Sequence, residues 1–340
     1  MFHQYNRILL TRMKFIGDVV LTTPLIRTLR ENFPKAYIGY LGEKKAVSLL
    51  EQNPYLDEII PFDFEQKGIL YQLKMFSLLR SKKFDVVIDL FCNPRTALLS
   101  FITGAKVRVG GDVRVRKKFY TTLVKDDGKP KSAIDFHYQS LKAIGVNSHF
   151  YNTTQIFLTS EEKKEAKNFL QSLGMEIEKS IVVVHPGATW ENKVWLKEHF
   201  FSLIQKLVEN HKINILLSPG PKDKELIHYL STSSTHSLYQ LPLLSVRKLA
   251  AILSQSSVFV SNDCGPMHIG VAVGVKTIGI FGPEPTEVWF PYDKEKGHVA
   301  LFKKIPCSPC RTTVCNNATH LECMKLITVD EVYNAVCERL

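Results

Sequence analysis

Apolar residues occur in short runs along the chain, separated by longer stretches of mixed character. Runs such as 36–41, 85–90 and 181–184 are rich in Val, Ile and Leu and are soon followed by Gly, Pro or Asn, as is typical of buried strands. The intervening stretches, such as 70–81 and 197–210, predict helices. Regular alternation of strand and helix is typical of a parallel sheet covered on both faces, so the pattern predicts an α/β protein.

One basic stretch, residues 108–131, interrupts this alternation. It carries eight Lys and Arg residues, with Phe119 and Tyr120 among them. Three interpretations stay open: a solvated charged face, a flexible loop that grips an anionic acceptor, because long irregular loops in compact domains tend to be functional, and a segment that binds an anionic membrane lipid. The second interpretation assigns acceptor binding to four basic residues: Arg114, Arg116, Lys117 and Lys118.

The order of the elements predicts two domains. The chain has 340 residues, and a second series of strands and helices begins after a linker region at 147–180. We therefore expect a first domain over residues 1–160 and a second over residues 161–327. A last helix is expected over residues 328–340.

Composition and charge narrow the function classes. The net charge of +11 predicts an anionic partner, such as nucleic acid, a membrane surface or an acidic substrate, but no nucleic-acid motif accompanies it. No apolar run reaches the roughly 18–20 residues that a membrane span needs. The polar start of the chain, residues 1–7, lacks the apolar core of a signal peptide, so we expect a cytoplasmic protein.

The stretch 258–285 carries the most specific chemistry, because it predicts a strand, a turn, a short helix and a second strand. Free backbone N–H groups at the start of such a helix, near Cys264 and Gly265, favour an anion such as a diphosphate. Two polar side chains, Asp263 and His268, flank this position.

Four other residues are candidates for binding or catalysis. Asp18 follows the first strand, where it is either an ordinary helix N-terminal residue or a carboxylate that accepts a proton. Thr189 and Lys193 follow the strand at 181–184 and offer a hydroxyl and a positive charge to a diphosphate. Asp223 follows a later strand and is placed to bind ribose hydroxyls, with Glu225 as the second choice.

Seven cysteines, four of them close together near the end of the chain, argue against a secreted disulfide framework. Four sulfurs at this spacing predict either reduced thiols that pack a loop or a structural zinc site, although the spacing is not that of a standard zinc finger. The four are Cys307, Cys310, Cys315 and Cys323.

Four separated motifs, in order, resemble those of glycosyltransferase family 9, the bacterial heptosyltransferases. They are Gly-Asp followed by Thr-Pro at 17–24, Pro-Gly-Ala-Thr followed by Lys-Val-Trp at 186–195, Gly-Pro-Lys-Asp at 220–223, and Asn-Asp-Cys-Gly-Pro-Met-His followed by Phe-Gly-Pro-Glu-Pro at 262–285. The family usually has Ser or Thr where this chain has Cys264.

The resemblance implies a GT-B fold, in which two Rossmann-like domains face each other across a cleft and the last helix crosses back to the first domain. It implies transfer of a heptose from ADP-heptose to the inner core of lipopolysaccharide, at the cytoplasmic face of the inner membrane, with Asp18 as general base and no cofactor required for catalysis. The implied donor site comprises Thr189, Lys193, Asp223, Asp263, Cys264, Gly265 and His268.

The sequence argues against some competing classes of enzyme and leaves others open. A nicotinamide oxidoreductase is disfavoured, because the turn after the first strand contains a single glycine, Gly17. Another family 9 sugar transferase with a different donor or acceptor stays open, as does a sugar-nucleotide epimerase of similar fold.

Overall fold

The computed structural model describes residues 5–233 and 238–340. The chain divides into two compact units, residues 1–157 and 158–340. Among the described residues, no helix combines the length and the apolar character that crossing a membrane requires. The first four residues, which contributed to the signal-peptide argument, lie outside the described part.

The described part of the first unit contains six strands and six α-helices. The strands are β1 (Arg7–Thr11), β2 (Tyr37–Glu43), β3 (Glu58–Phe62), β4 (Val86–Asp89), β5 (Val107–Gly111) and β6 (Thr122–Val124). The helices are α1 (Ile16–Leu21), α2 (Thr23–Asn32), α3 (Lys44–Val47), α4 (Ile69–Ser81), α5 (Pro94–Ile102) and α6 (Ala133–Lys142).

All strands of the first unit pair in parallel, in the spatial order β3-β2-β1-β4-β5-β6. β1 and β4 are neighbours, although the chain leaves them toward opposite edges of the sheet. Helices α4 and α5 pack on one face of the sheet, where Met75, Leu79 and Leu99 join strand residues such as Leu9 and Val87 in a buried core.

The second unit, over its described residues, also has six strands, and it has eight α-helices. The strands are β7 (Ile181–His185), β8 (Asn214–Leu217), β9 (Tyr239–Gln240), β10 (Val258–Asn262), β11 (Lys276–Phe281) and β12 (Val299–Phe302). The helices are α7 (Ser160–Ser172), α8 (Lys197–Asn210), α9 (Lys224–Ser233), α10 (Val246–Leu253), α11 (Gly265–Ala272), α12 (Thr286–Trp289), α13 (Glu322–Lys325) and α14 (Val329–Cys337).

The second sheet is also parallel throughout, in the order β12-β11-β10-β7-β8-β9. Counted within its own unit, this order is the same as that of the first sheet. The predicted α/β class with two doubly wound parallel sheets is thus confirmed. Helix α14 belongs to this unit and packs on α8 through Val332 and Val336. That it crosses back to the first domain stays a prediction.

Two local features of the first unit were not predicted. The helical segment between β1 and β2 is divided at Thr22 into α1 and α2. Pro24 lies in the first turn of α2 and has no N–H to continue the hydrogen bonds of α1, so a new helix begins there. The basic stretch 108–131 is not irregular throughout, because it holds a 3-10 helix, Arg114–Phe119, and the short strand β6.

Candidate active site

Polar side chains gather at the same topological position in each unit. Each sheet has two neighbouring central strands after which the chain continues to opposite sides of the sheet. They are β1 and β4 in the first sheet and β7 and β10 in the second. Ligands of open α/β sheets bind beyond the carboxyl ends of the strands at such a switch point. Asp18 follows β1, Lys193 follows β7, and Asp263 follows β10. Each unit thus has one candidate centre.

Asp18 is held in a fixed orientation at the first switch point. It is the third residue of α1, and its Oδ2 accepts a hydrogen bond from the backbone N–H of Phe15 at 3.0 Å. Its Oδ1 accepts from Arg12 Nη2 at 2.5 Å. Each carboxylate oxygen has a second lone pair. The carboxylate is therefore oriented by two donors and can still accept a hydrogen bond from a substrate hydroxyl.

Arg12 is a site residue that the sequence argument did not single out. Its Nη1 donates to the backbone oxygen of Leu90 at 2.6 Å, just after β4, and its guanidinium lies 4.9 Å from the ring centre of Phe91. The Asp18 contact described above is thus one of three that hold this side chain. Arg12 connects the ends of the two strands that define the switch point. Its place beside the Gly-Asp motif was the only signal in the sequence.

The basic 3-10 helix is fixed to the end of β4. Tyr120, which follows it, is buried and donates a hydrogen bond to Asp89 Oδ2 at 2.6 Å. Burial raises the pKa of Asp89, and the hydrogen bond from Tyr120 opposes that shift. The Tyr120 ring lies against Gly110, where any side chain would overlap it. The interpretation of this segment as a flexible loop is therefore wrong for the part from Arg114 to Tyr120.

The four predicted acceptor-binding residues lie together on this 3-10 helix. Arg114, Lys117 and Lys118 are exposed and Arg116 is half-buried. Lys117 Nζ lies 3.2 Å from Asp112 Oδ1, and an exposed pair of this kind contributes little to stability. The charges thus remain available to an anion. Their role in acceptor binding stays a prediction.

Lys193 and Asp263 form a largely buried ion pair at the second switch point. Lys193 Nζ lies 2.7 Å from Asp263 Oδ2, and the two side chains are 15% and 6% exposed. The same Nζ lies 4.5 Å from the ring centre of Trp190. Burial raises the pKa of Asp263, whereas the charge of Lys193 lowers it. Burial also raises the pKa of Glu284, and the charge of Lys193 again lowers it.

Asn262, part of the recognised motif but given no role from the sequence, fixes the loop after β7 to β10. This fully buried amide donates to the backbone oxygen of Pro186 at 2.7 Å and accepts from the backbone N–H of Trp195 at 3.0 Å. Lys193 lies between these two attachment points along the chain. Its position relative to Asp263 is therefore set by backbone contacts.

The start of α11 provides free backbone donors beside this ion pair. Cys264 precedes the helix without a capping side-chain hydrogen bond, and burial raises the pKa of its thiol to about 12. His268 Nδ1 forms a 2.6 Å hydrogen bond with Tyr292 Oη. Burial lowers the pKa of His268 to about 3, so its imidazole is neutral at physiological pH. Gly265 begins the helix, where the N–H groups favour an anion.

Thr189 and Asp223 differ in their availability to a ligand. Thr189 is exposed, three residues after the buried Pro186. Asp223 is buried, and its Oδ2 accepts from the backbone N–H of Gly220 at 2.6 Å. The carboxylate also fills the space beside Gly187, where a Cβ would lie 1.8 Å from Asp223 Oδ2. Asp223 thus holds its own loop together, and ribose binding by this residue stays a prediction.

The four clustered cysteines are unpaired thiols. Across residues 5–233 and 238–340, no three His, Cys, Asp or Glu side chains are grouped so that they could hold a metal ion. Burial raises the pKa of Cys323, and the other three thiols act in the same direction. The structure therefore offers no ligand set for zinc among these residues, and the zinc site stays a prediction.

Two doubly wound units, one with an oriented carboxylate and one with a largely buried lysine beside a helix N-terminus, are typical of a glycosyltransferase of the GT-B type. The chain belongs to glycosyltransferase family 9, because the model of that family, described as glycosyltransferase family 9 (heptosyltransferase), matches residues 72–320. The predictions of the family, of the GT-B fold and of a glycosyltransferase enzyme are thus confirmed.

Relatives agree with this assignment over most of their length. Lipopolysaccharide heptosyltransferase 3 of Escherichia coli is 25% identical over 293 residues, which cover 82% of this chain and 84% of that protein. The family 9 glycosyltransferase of Veillonella parvula has a TM-score of 0.86 at 24% identity and covers 99% and 98% of the two chains. The Escherichia coli heptosyltransferase WaaC, solved with ADP, has a TM-score of 0.73 at 20% identity, with coverage of 98% and 100%.

Proposed function

We propose that this protein transfers a heptose from ADP-heptose to the inner core of lipopolysaccharide, with inversion at the anomeric carbon and at the cytoplasmic face of the inner membrane. The observation that carries the proposal is the position of Asp18 and Lys193, each at the switch point of its own sheet. Names of relatives support the details, since one is a lipopolysaccharide heptosyltransferase and another was solved with ADP.

The second unit is proposed to bind the donor. Lys193, the hydroxyl of Thr189 and the N–H groups at the start of α11 would contact the diphosphate, while Asp263 and His268 lie beside it. Because Lys193 is held by Asp263, the diphosphate meets a positive charge that is already oriented. Asp223 is proposed for the ribose. These groups provide the charge needed by the departing diphosphate, so the proposed chemical step requires no cofactor.

The first unit is proposed to bind the acceptor. Its 157 residues hold 24 Lys and Arg against 14 Asp and Glu, a net charge of +10, whereas the second unit has 20 against 19, a net charge of +1. Nearly all of the positive charge therefore belongs to the unit proposed to bind the phosphates and carboxylates of the acceptor. The basic residues at 114–118 are the proposed contacts.

In the proposed reaction, an acceptor hydroxyl attacks the anomeric carbon of the donor. A new carbon–oxygen bond forms while the bond from that carbon to the diphosphate oxygen breaks, and ADP leaves with the electron pair. Asp18 takes the hydroxyl proton. Arg12 is proposed to keep the Asp18 carboxylate directed at that proton, because it holds Oδ1 from the opposite strand end.

The direct test is to incubate the protein with ADP-heptose and a series of truncated core acceptors and to identify the product by mass. We expect one added heptose on one acceptor, and ADP in equal amount. Transfer from a different sugar nucleotide, with none from ADP-heptose, would reject ADP-heptose as the donor, and the family assignment would stand. Conversion of the sugar nucleotide without an acceptor would instead indicate an epimerase.

A further inference from the structure

The outer side of α4 in the first unit exposes large aliphatic residues. Leu70 is 79% exposed and Leu73 is 53% exposed, and Ile69 and Leu78 are also exposed. Met75 and Leu79, on the opposite side of the helix, are buried in the core described above. A helix that is apolar on its solvent side as well as on its core side has a surface that favours a second apolar environment.

Basic residues border this surface without acidic ones. Between Glu65 and Asp85 the chain has five Lys and Arg residues and no Asp or Glu. Lys82 is paired with Glu58, whereas Lys67, Lys74 and Lys83 have no ion pair within the described part of the chain. The surface thus combines aliphatic side chains with unneutralised positive charge.

The start of the α4 surface, near Leu70, lies at the carboxyl edge of the sheet, which also carries Asp18. α4 begins after the carboxyl end of β3, and α1 begins after the carboxyl end of β1, in a parallel sheet. Contacts connect the two: Lys14 Nζ lies 4.4 Å from the ring centre of Phe64, and Phe62 packs against both Phe64 and Tyr71 of α4. Phe15, at the start of α1, adds an exposed ring to this edge.

We propose that the outer side of α4 is the surface by which the first unit docks on an anionic lipid bilayer. Leu70 and Leu73 would enter the headgroup region, and Lys67, Lys74 and Lys83 would lie among the phosphates. The proposal rests on the proposed function, because docking on the bilayer would bring the enzyme to a lipid-anchored acceptor. A lipid-anchored acceptor in that bilayer would meet the sheet edge that carries Asp18.

A second copy of this chain is the competing occupant, and charge argues against it. A symmetric dimer would place the same surface of each copy in contact. The unpaired lysines would then face one another without acidic partners, which is repulsive. An anionic bilayer supplies the opposite charge, so it fits both properties of the surface.

Flotation of the full-length protein with lipid vesicles tests the proposal. We expect binding to vesicles that contain phosphatidylglycerol, and at least about tenfold weaker binding to pure phosphatidylcholine vesicles. The variant L70Q/L73Q should bind the anionic vesicles at least about tenfold more weakly than the wild type. The matched control is V314Q/L326Q, which changes two exposed apolar residues of the second unit, 64% and 45% exposed, and should bind like the wild type.

Several results would overturn the proposal. They are absence of vesicle binding by the wild type, equal binding by L70Q/L73Q, and self-association of the wild type that L70Q/L73Q abolishes. Equal thermal unfolding of all variants excludes misfolding as the cause of a loss. Transfer to a water-soluble, deacylated acceptor separates the two proposals: it should persist in L70Q/L73Q, while transfer to acceptor in vesicles falls. Vesicle binding through α4 without any sugar transfer would leave this inference standing and reject the proposed function.

Discussion

Replacing Lys193 by methionine should destabilise the second unit, and the loss should depend on pH. Methionine keeps an unbranched side chain of similar length but removes the charge that neutralises Asp263. Because Asp263 is 6% exposed, its carboxylate would be left buried without its cation. Removing one partner of a buried ion pair costs about 3–5 kcal/mol in the free energy of unfolding. We expect a loss in that range at pH 8.

The pH dependence follows from the pKa of Asp263. Burial already raises that pKa, and loss of Lys193 should raise it further. Between the ordinary aspartate pKa near 4 and the higher value in the variant, folded Asp263 binds a proton that the unfolded chain does not. Stability therefore falls as pH rises through this window, by about 1.4 kcal/mol per pH unit. The penalty should be smallest near pH 4 and largest above the folded-state pKa of Asp263.

Tryptophan fluorescence during urea unfolding measures this effect in the second unit alone. All three tryptophans of the chain, at positions 190, 195 and 289, belong to that unit. The double variant K193M/D263N should recover most of the loss, because it removes both charges. K197M is the matched control: Lys197 is 54% exposed and 3.9 Å from its partner Glu198, so its loss should be within about 0.5 kcal/mol. Parallel stability curves against pH for K193M and the wild type would refute the argument.

Three further predictions concern catalysis and binding. D18N should lower the turnover rate by about 10²–10⁴ while calorimetric ADP affinity persists, and near wild-type turnover would remove Asp18 as the base. R12K keeps the positive charge but loses the planar guanidinium with its several N–H donors. The kcat should therefore fall by about 10–100-fold, at unchanged ADP affinity and unfolding temperature. Neutralising the four basic residues at 114–118 should raise the KM for the acceptor and weaken the salt dependence of acceptor binding. A change in the KM for the donor alone would instead place the segment near the nucleotide.

Much of the fold was predictable because buried parallel strands are apolar on both faces. Strands β1, β4, β7 and β10 are central and were recognised as short Val, Ile and Leu runs. The edge strands β6, β9 and β12 were not predicted. These three strands pair on one side only and have two to four residues, so their sequences carry little pattern; the fourth edge strand, β3, has five residues.

The site residues were predictable where a local sequence motif indicates their position. They were less predictable where their contacts are made by residues distant in the sequence. Asp18 and Lys193 lie in the connections that follow β1 and β7, so the predicted topology already brings them near the switch points. Arg12 acquires its contacts from Leu90 and Asp18, and the first of these is far along the chain. Asn262 likewise acquires its partners only in the folded state, since its amide contacts two separate points of the loop after β7.

The anchoring of the basic 3-10 helix by Tyr120 bears on how quickly an anionic partner is captured. A disordered loop has to be ordered during binding, which slows formation of the final complex and costs conformational entropy. Here the buried hydrogen bond to Asp89 has ordered the segment beforehand. Association should therefore proceed in a single kinetic phase, with a rate set by diffusion and charge. Stopped-flow traces with a soluble acceptor should show one exponential that slows as salt is added.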